Sequence, residues 1–170
     1  MVSTCGLGMQ AVDWAPTHHQ EDPVTTAPDG QRGIAERLGV KPGSLVQSIG
    51  DGEGEGPAAD AELLVEVAGA AGEALVPEGT DDVLDMVLLW WRADDGDLVD
   101  ALVDARRNLD DSGVLWLLTP KTGRPGHVPA SDVQEAAPTA GLSQTSTVSA
   151  TAAWSGIRLV APKADRARTR

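Results

Sequence analysis

Cysteine occurs once in the 170 residues, as Cys5, so no internal disulfide framework can form and a reducing compartment suits the chain. Long apolar runs are missing too. The most apolar stretch, Met86 to Trp91, falls far short of the ~20 residues a membrane-spanning helix requires. Met1 to Gln10 lacks both a basic start and an apolar centre, from which we expect no secretory signal and a cytoplasmic protein. Basic residues are scarce. Thirteen Lys and Arg face 26 Asp and Glu, a formal net charge of −13. That balance excludes non-specific binding to nucleic acid or to an anionic membrane, which needs clustered Lys and Arg. What is present is enough apolar content, 41%, to build a core, and a length that suits one domain with tails.

Residues 1–32 show no sustained period and are rich in Thr, Pro, Asp and Gly, which predicts a disordered leader. The domain is expected over 33–162, followed by a basic disordered tail at 163–170. Ile34 to Leu38 has apolar residues at i and i+4 and a helix stop at Gly39. Ser44 to Ile49 reads as a short strand. Gly50 to Gly56 alternates glycine with acid and cannot be regular structure. Asp60 to Leu75 carries a helical stripe of Leu63, Leu64, Val67, Ala68, Ala71 and Leu75, and Pro77-Glu78-Gly79 ends it.

The second half has a stronger pattern. Asp85 to Trp91 and Val114 to Leu118 are continuous apolar runs without polar alternation, as expected for strands buried on both faces of a parallel sheet. Between them, Asp94 or Asp95 is placed to cap a helix with the stripe Leu98, Val99, Leu102, Val103 and Ala105. A helix is expected to start at Ser131 or Asp132. Leu142 to Ala150 and Gly156 to Ala161 then predict an antiparallel β pair. The fold class is therefore α/β: an open Rossmann-like, mostly parallel sheet with a terminal antiparallel β pair, resembling a truncated class I methyltransferase fold. Only one helix separates the glycine loop from the Met86 strand, so a strand–helix unit of that fold is missing.

Several segments also carry a family likeness. Asp85-Met-Val-Leu-Leu-Trp-Trp-Arg92, Gly96 to Arg106, Leu115-Trp-Leu-Leu-Thr-Pro-Lys-Thr-Gly123, Glu135 to Leu142 and Trp154-Ser-Gly-Ile-Arg-Leu-Val-Ala-Pro162 resemble signatures of the actinobacterial "domain of unknown function 3052" family. The resemblance spans about Ile34 to Lys163 and is dense from Asp82 onward. It implies a Rossmann-like fold, and carries over no activity, cofactor or catalytic residue. Family members have fewer glycines where this chain has Gly50 to Gly56.

Two places could carry a ligand. Gly50, Gly52 and Gly54 follow a strand and precede a helix, where a nucleotide-binding glycine loop sits. The intervening Asp51, Glu53 and Glu55 would repel a pyrophosphate, which disfavours NAD, FAD and ATP. S-adenosylmethionine has no phosphate and escapes that objection. It meets another, because the ribose-binding carboxylate expected about 20 residues on falls inside the Asp60 helix. The plain alternative for the loop is a flexible acidic linker. The second place is the carboxyl edge of the strands, with Trp91, Asp94, Lys121 and Trp154; otherwise Trp90 and Trp116 fill core, Asp94 caps a helix and Lys121 forms a salt bridge.

Catalytic patterns are weak. His127 is the lone histidine of the domain, and no Gly-x-Ser-x-Gly accompanies Ser131 or Ser155. Cys5, His18 and His19 lack metal-ligand spacing. We expect no catalytic residue, no metal and no resident cofactor. Charge is the remaining signal: Asp51 to Asp111 holds eighteen acidic residues against three basic. Asp97, Asp100 and Asp104 are expected to share one helix face, available to a basic protein partner. The sequence reading therefore favours a cytosolic, non-catalytic interaction protein with an acidic surface. Its alternatives are a small-molecule binding module near Lys121 and a divergent S-adenosylmethionine-dependent methyltransferase.

Overall fold

A computed structural model describes residues 33–52 and 57–162; the expected leader, Gly54 and the basic tail lie outside them. Three parallel strands form the first part of the sheet: β1 (Val46–Ile49), β2 (Leu84–Trp90) and β3 (Leu109–Pro120). The terminal hairpin, β4 (Ser143–Ser149) and β5 (Trp154–Val160), completes it in the order β1-β2-β3-β5-β4. β5 runs antiparallel to both its neighbours, so four of the five strands point one way.

Each face of the sheet is covered by helices, which is why the central strands are apolar on both faces. α1 (Ile34–Leu38) and α2 (Ala61–Ala71) cover one face, where Val46, Met86, Leu88, Trp90, Trp116 and Leu118 pack with Leu38, Leu63 and Val67. α3 (Leu98–Ala105) and α4 (Ala130–Thr139) cover the other, against Val87, Leu89, Leu115, Leu117, Ile157 and Leu159. Among the described residues no helix is long and apolar enough to cross a membrane.

The sequence expectations need four corrections. α2 ends at Ala71, not Leu75, because Gly72 takes a left-handed φ of 79° as its C-cap. Asp97, rather than Asp94 or Asp95, caps α3: its carboxylate accepts from Val99 N at 2.8 Å and Asp100 N at 3.3 Å. α4 begins one residue early, after Pro129, and retains Pro138 in its last turn. β3 starts at Leu109, well before Gly113, through an irregular register between Leu84/Leu109 and Met86/Val114. Asp110 folds back locally there, accepting bonds from both the backbone and the side chain of Ser112. Those bonds hold the exposed Asp110 carboxyl below its usual pKa; the side-chain bond is the larger cause.

The chain leaving α2 closes the free edge of β1. Val76 pairs with Gln47 as a single parallel bridge, its N–H donating to Val46 O at 2.8 Å. Pro77 has no N–H to continue the ladder. Its carbonyl instead accepts from Gln47 Nε2 at 2.8 Å. One residue further, Glu78 uses its side chain where a strand would use backbone: Oε1 accepts from Gly50 N at 3.2 Å.

Candidate functional site

At the carboxyl ends of β1 and β2 lies a crevice of about 570 Å³. It is lined by Gly50 and Gly52 after β1, by Glu78, and by the apolar Ile49, Leu89 and Trp91. α3 contributes Ala101, Asp104 and Ala105, with Asp95 just before it. Open α/β sheets bind ligands at this edge, outside the carboxyl ends of adjacent strands.

Gly50 is irreplaceable for two reasons. Its φ is +76°, and a Cβ there would stand 2.5 Å from the carbonyl oxygen of Trp90. Only glycine lets β1 leave the sheet so close to β2. Gly52 differs, since a Cβ on it meets nothing within 4 Å.

Arg92 holds the loop at both ends. It is 2% exposed, at the end of the Trp90-Trp91 run. Nε and Nη2 donate to Pro57 O at 3.1 and 2.8 Å, and Nη1 donates to Gly50 O at 3.4 Å. Asp95 accepts from the Arg92 backbone N at 2.8 Å and lies 3.6 Å from Nη1. The guanidinium also sits 5.3 Å from the centroid of the Trp154 ring, within cation–π range. Trp154 in turn meets Trp90 edge to face at 4.9 Å and donates from Nε1 to Ala58 O at 3.2 Å. One buried cation, two rings and three carbonyls thus fix where the loop starts and where α2 begins.

The structure divides the residues singled out from sequence. It brings Gly50, Gly52 and Trp91 together around the crevice. Lys121 is not among its lining residues; Nζ donates to Ser149 Oγ at 2.6 Å, so the salt bridge expected of it is replaced by a hydroxyl contact. Trp154 is 1% exposed, packed in the core, and is not among the residues that line the crevice. Asp94 is exposed and outside the crevice lining, and it caps nothing. His127 is tethered by its ring, Nδ1 lying 2.9 Å from Pro120 O. Of the acidic face, Asp97 is committed to the α3 cap, Asp100 is exposed, and Asp104 pairs with Arg107 at 3.1 Å. Among the described residues there is no group of three metal-ligating side chains.

Two participants escaped sequence reasoning. Glu78 looked like a helix terminator, yet it stands beside the glycine loop, 28 residues after Gly50. It reaches the loop because α2 stops early and the chain touches β1 at Val76. Arg92 looked like a strand-end charge. An arginine directly after a doubly apolar run was the available signal, since a charge that close to the core needs partners.

A family model described as a protein of unknown function, DUF3052, matches residues 35–163. Uncharacterised proteins of Mycobacterium tuberculosis and Mycobacterium bovis are each 44% identical over 148 residues, covering 87% of this chain and 90% of theirs. Among solved structures, a SAM-dependent methyltransferase of Aquifex aeolicus superposes with a TM-score of 0.52 at 13% identity, over 76% of this chain and 88% of that one. An O-methyltransferase from neocarzinostatin biosynthesis, solved with S-adenosyl-L-homocysteine, gives 0.53 at 15% identity, over 76% and 53%. At such identities the likeness is one of fold.

Proposed function

This chain belongs to the DUF3052 family, and from that premise and the open strand-end crevice we propose that it binds a phosphate-free nucleoside, S-adenosylmethionine being the chemical class that fits. The observation that carries the reading is the pairing of Gly50 with Glu78 across the mouth of the crevice. Glu78 spends Oε1 on Gly50 N. Among the described residues nothing bonds Oε2, which leaves it for the hydroxyls of a ribose.

The charges around the crevice support a ligand without phosphate. Glu78, Asp95 and Asp104 line it. Arg92 has already given its side-chain donors to Pro57 and Gly50, and Arg107 is paired with Asp104. Among the described residues three carboxylates thus outnumber the two lining arginines, Arg92 and Arg107, so a pyrophosphate would meet net negative charge, whereas a sulfonium or ammonium meets complementary charge. Apolar walls from Ile49, Leu89 and Trp91 suit a purine. The reading is of binding; a protein partner on Asp100 and Asp104 is a second reading, favoured by the exposure of that stretch of α3. We also place the protein in the cytoplasm, on its lone cysteine.

Calorimetry with S-adenosylmethionine, S-adenosylhomocysteine and ATP tests the proposal. The first two should bind and raise the melting temperature, and ATP should do neither. Gly52→Arg, which enters open space, should abolish binding without unfolding the protein, and Glu78→Gln should weaken it. Absence of any shift at millimolar S-adenosylmethionine refutes the reading. Salt-sensitive capture of a partner that survives Gly52→Arg and is lost in Asp100→Asn/Asp104→Asn would favour the second.

A further inference from the structure

The two edges of the sheet are built differently. At β1 the Val76 bridge, Pro77 and the Glu78 carboxylate occupy the outer rim. At the other edge, β4 reads Ser-Gln-Thr-Ser-Thr-Val-Ser, with no charge and no proline. Every β4 residue except Val148 is exposed. Natural edge strands are normally blunted by Lys, Pro, a cover or a bulge. Of these β4 has only a bulge, at Thr145 between Gln144 and Ser146.

The direction of the free backbone groups follows from the ladder. Ala150 N donates to Trp154 O at 3.0 Å at the hairpin end. Alternation along an antiparallel pair then turns the N–H and C=O of Val148 and Ser146 toward β5. Those of Thr147 and Ser149 point outward, where the sheet stops at β4.

Charge selects what can cover this rim. The chain carries −13, yet residues 141–162 contain no Asp or Glu and one cation, Arg158. Two copies meeting through the acidic face of α3 would oppose like charges, whereas at β4 they meet without that penalty. An antiparallel edge is also self-complementary about a two-fold axis, as an isologous dimer demands.

We propose that two copies of this chain pair β4 against β4, joining their five-stranded sheets into one, with Thr147 and Ser149 exchanging backbone hydrogen bonds across the axis. This is independent of any ligand in the crevice. Light scattering on the full chain should give twice the 17.6 kDa chain mass. Amide exchange should show Thr147 and Ser149 protected. Thr147→Pro removes an outward N–H and no bond to β5, and Thr147→Asp sets two carboxylates on one face of the joined sheet, diagonally across the axis. Both should give the single-chain mass, and the second should expose the Ser149 amide. A melting curve confirms folding of each variant, and where Thr147→Pro fails to fold, Thr147→Asp decides. A monomeric wild type overturns the proposal, whether its rim is bare or covered by the chain's own flanking residues. So does a dimer that persists in folded Thr147→Asp.

Discussion

Adding one methyl group to each of two glycines in the same loop should shift stability in opposite directions. At Gly50 the left-handed backbone costs a side-chain-bearing residue about 1–2 kcal/mol. The new Cβ also lies 2.5 Å from Trp90 O, a backbone atom of a central strand, so β1 and β2 must separate or the loop must rotate. Overpacking of that kind adds about 1–3 kcal/mol. Gly50→Ala should therefore lose about 2–5 kcal/mol, a large share of the ~5–15 kcal/mol that holds an ordinary domain together. At Gly52 the φ is not left-handed and the space is open. Gly52→Ala should stabilise by about 0.4–1 kcal/mol, through the reduced freedom of its unfolded chain. Urea unfolding followed by tryptophan fluorescence measures both, provided the m-values match that of the wild type. If Gly50→Ala costs less than about 1 kcal/mol, or both variants shift the same way, the account of the β1 exit is wrong.

Three further outcomes follow from the same contacts. Arg92→Met leaves the Gly50 and Pro57 carbonyls unpaired and should cost about 3–5 kcal/mol in urea unfolding, with Arg92→Lys intermediate. Asp97→Ala removes the α3 cap and should cost about 1 kcal/mol, whereas Asp94→Ala should be neutral by thermal melting. The lowered pKa of Asp110 means that folding favours its ionised form. Its contribution is present above the ordinary carboxylate value and fades as pH falls through the folded one. Ser112→Ala should move the Asp110 titration, followed by carboxyl NMR, up toward 3.8 and reduce that acid-side dependence, the backbone bonds from residues 111 and 112 remaining.

Where one rule acted alone, the fold was legible in the sequence. The two unbroken apolar runs around Leu88 and Trp116 could only be strands covered on both faces, and Gly39 could only end a helix. Competing rules hid the rest. Three acids precede the Leu98 stripe, and choosing among Asp94, Asp95 and Asp97 needs the backbone at the cap: Asp95 is instead drawn back to the Arg92 amide. Lys121 and Trp154 lie near strand ends, which says nothing about whether a side chain turns out to a ligand or in to the core. Glu78 was hidden for a longer-range reason. Its role depends on where α2 stops and on a bridge between Val76 and Gln47, neither of which has a local period.

Trp154 has a consequence for the order in which the protein can be completed. Its ring supports Arg92, and its indole N–H reaches Ala58, 96 residues earlier in the chain. A ribosome therefore releases β1, the glycine loop and α2 long before the residue that steadies them exists. Until β5 slots in beside β3, the guanidinium lacks its aromatic face and the Ala58 carbonyl lacks its donor. Contacts of such separation form late and slowly. A nascent chain halted before Trp154 would hold most of its strands but no settled crevice.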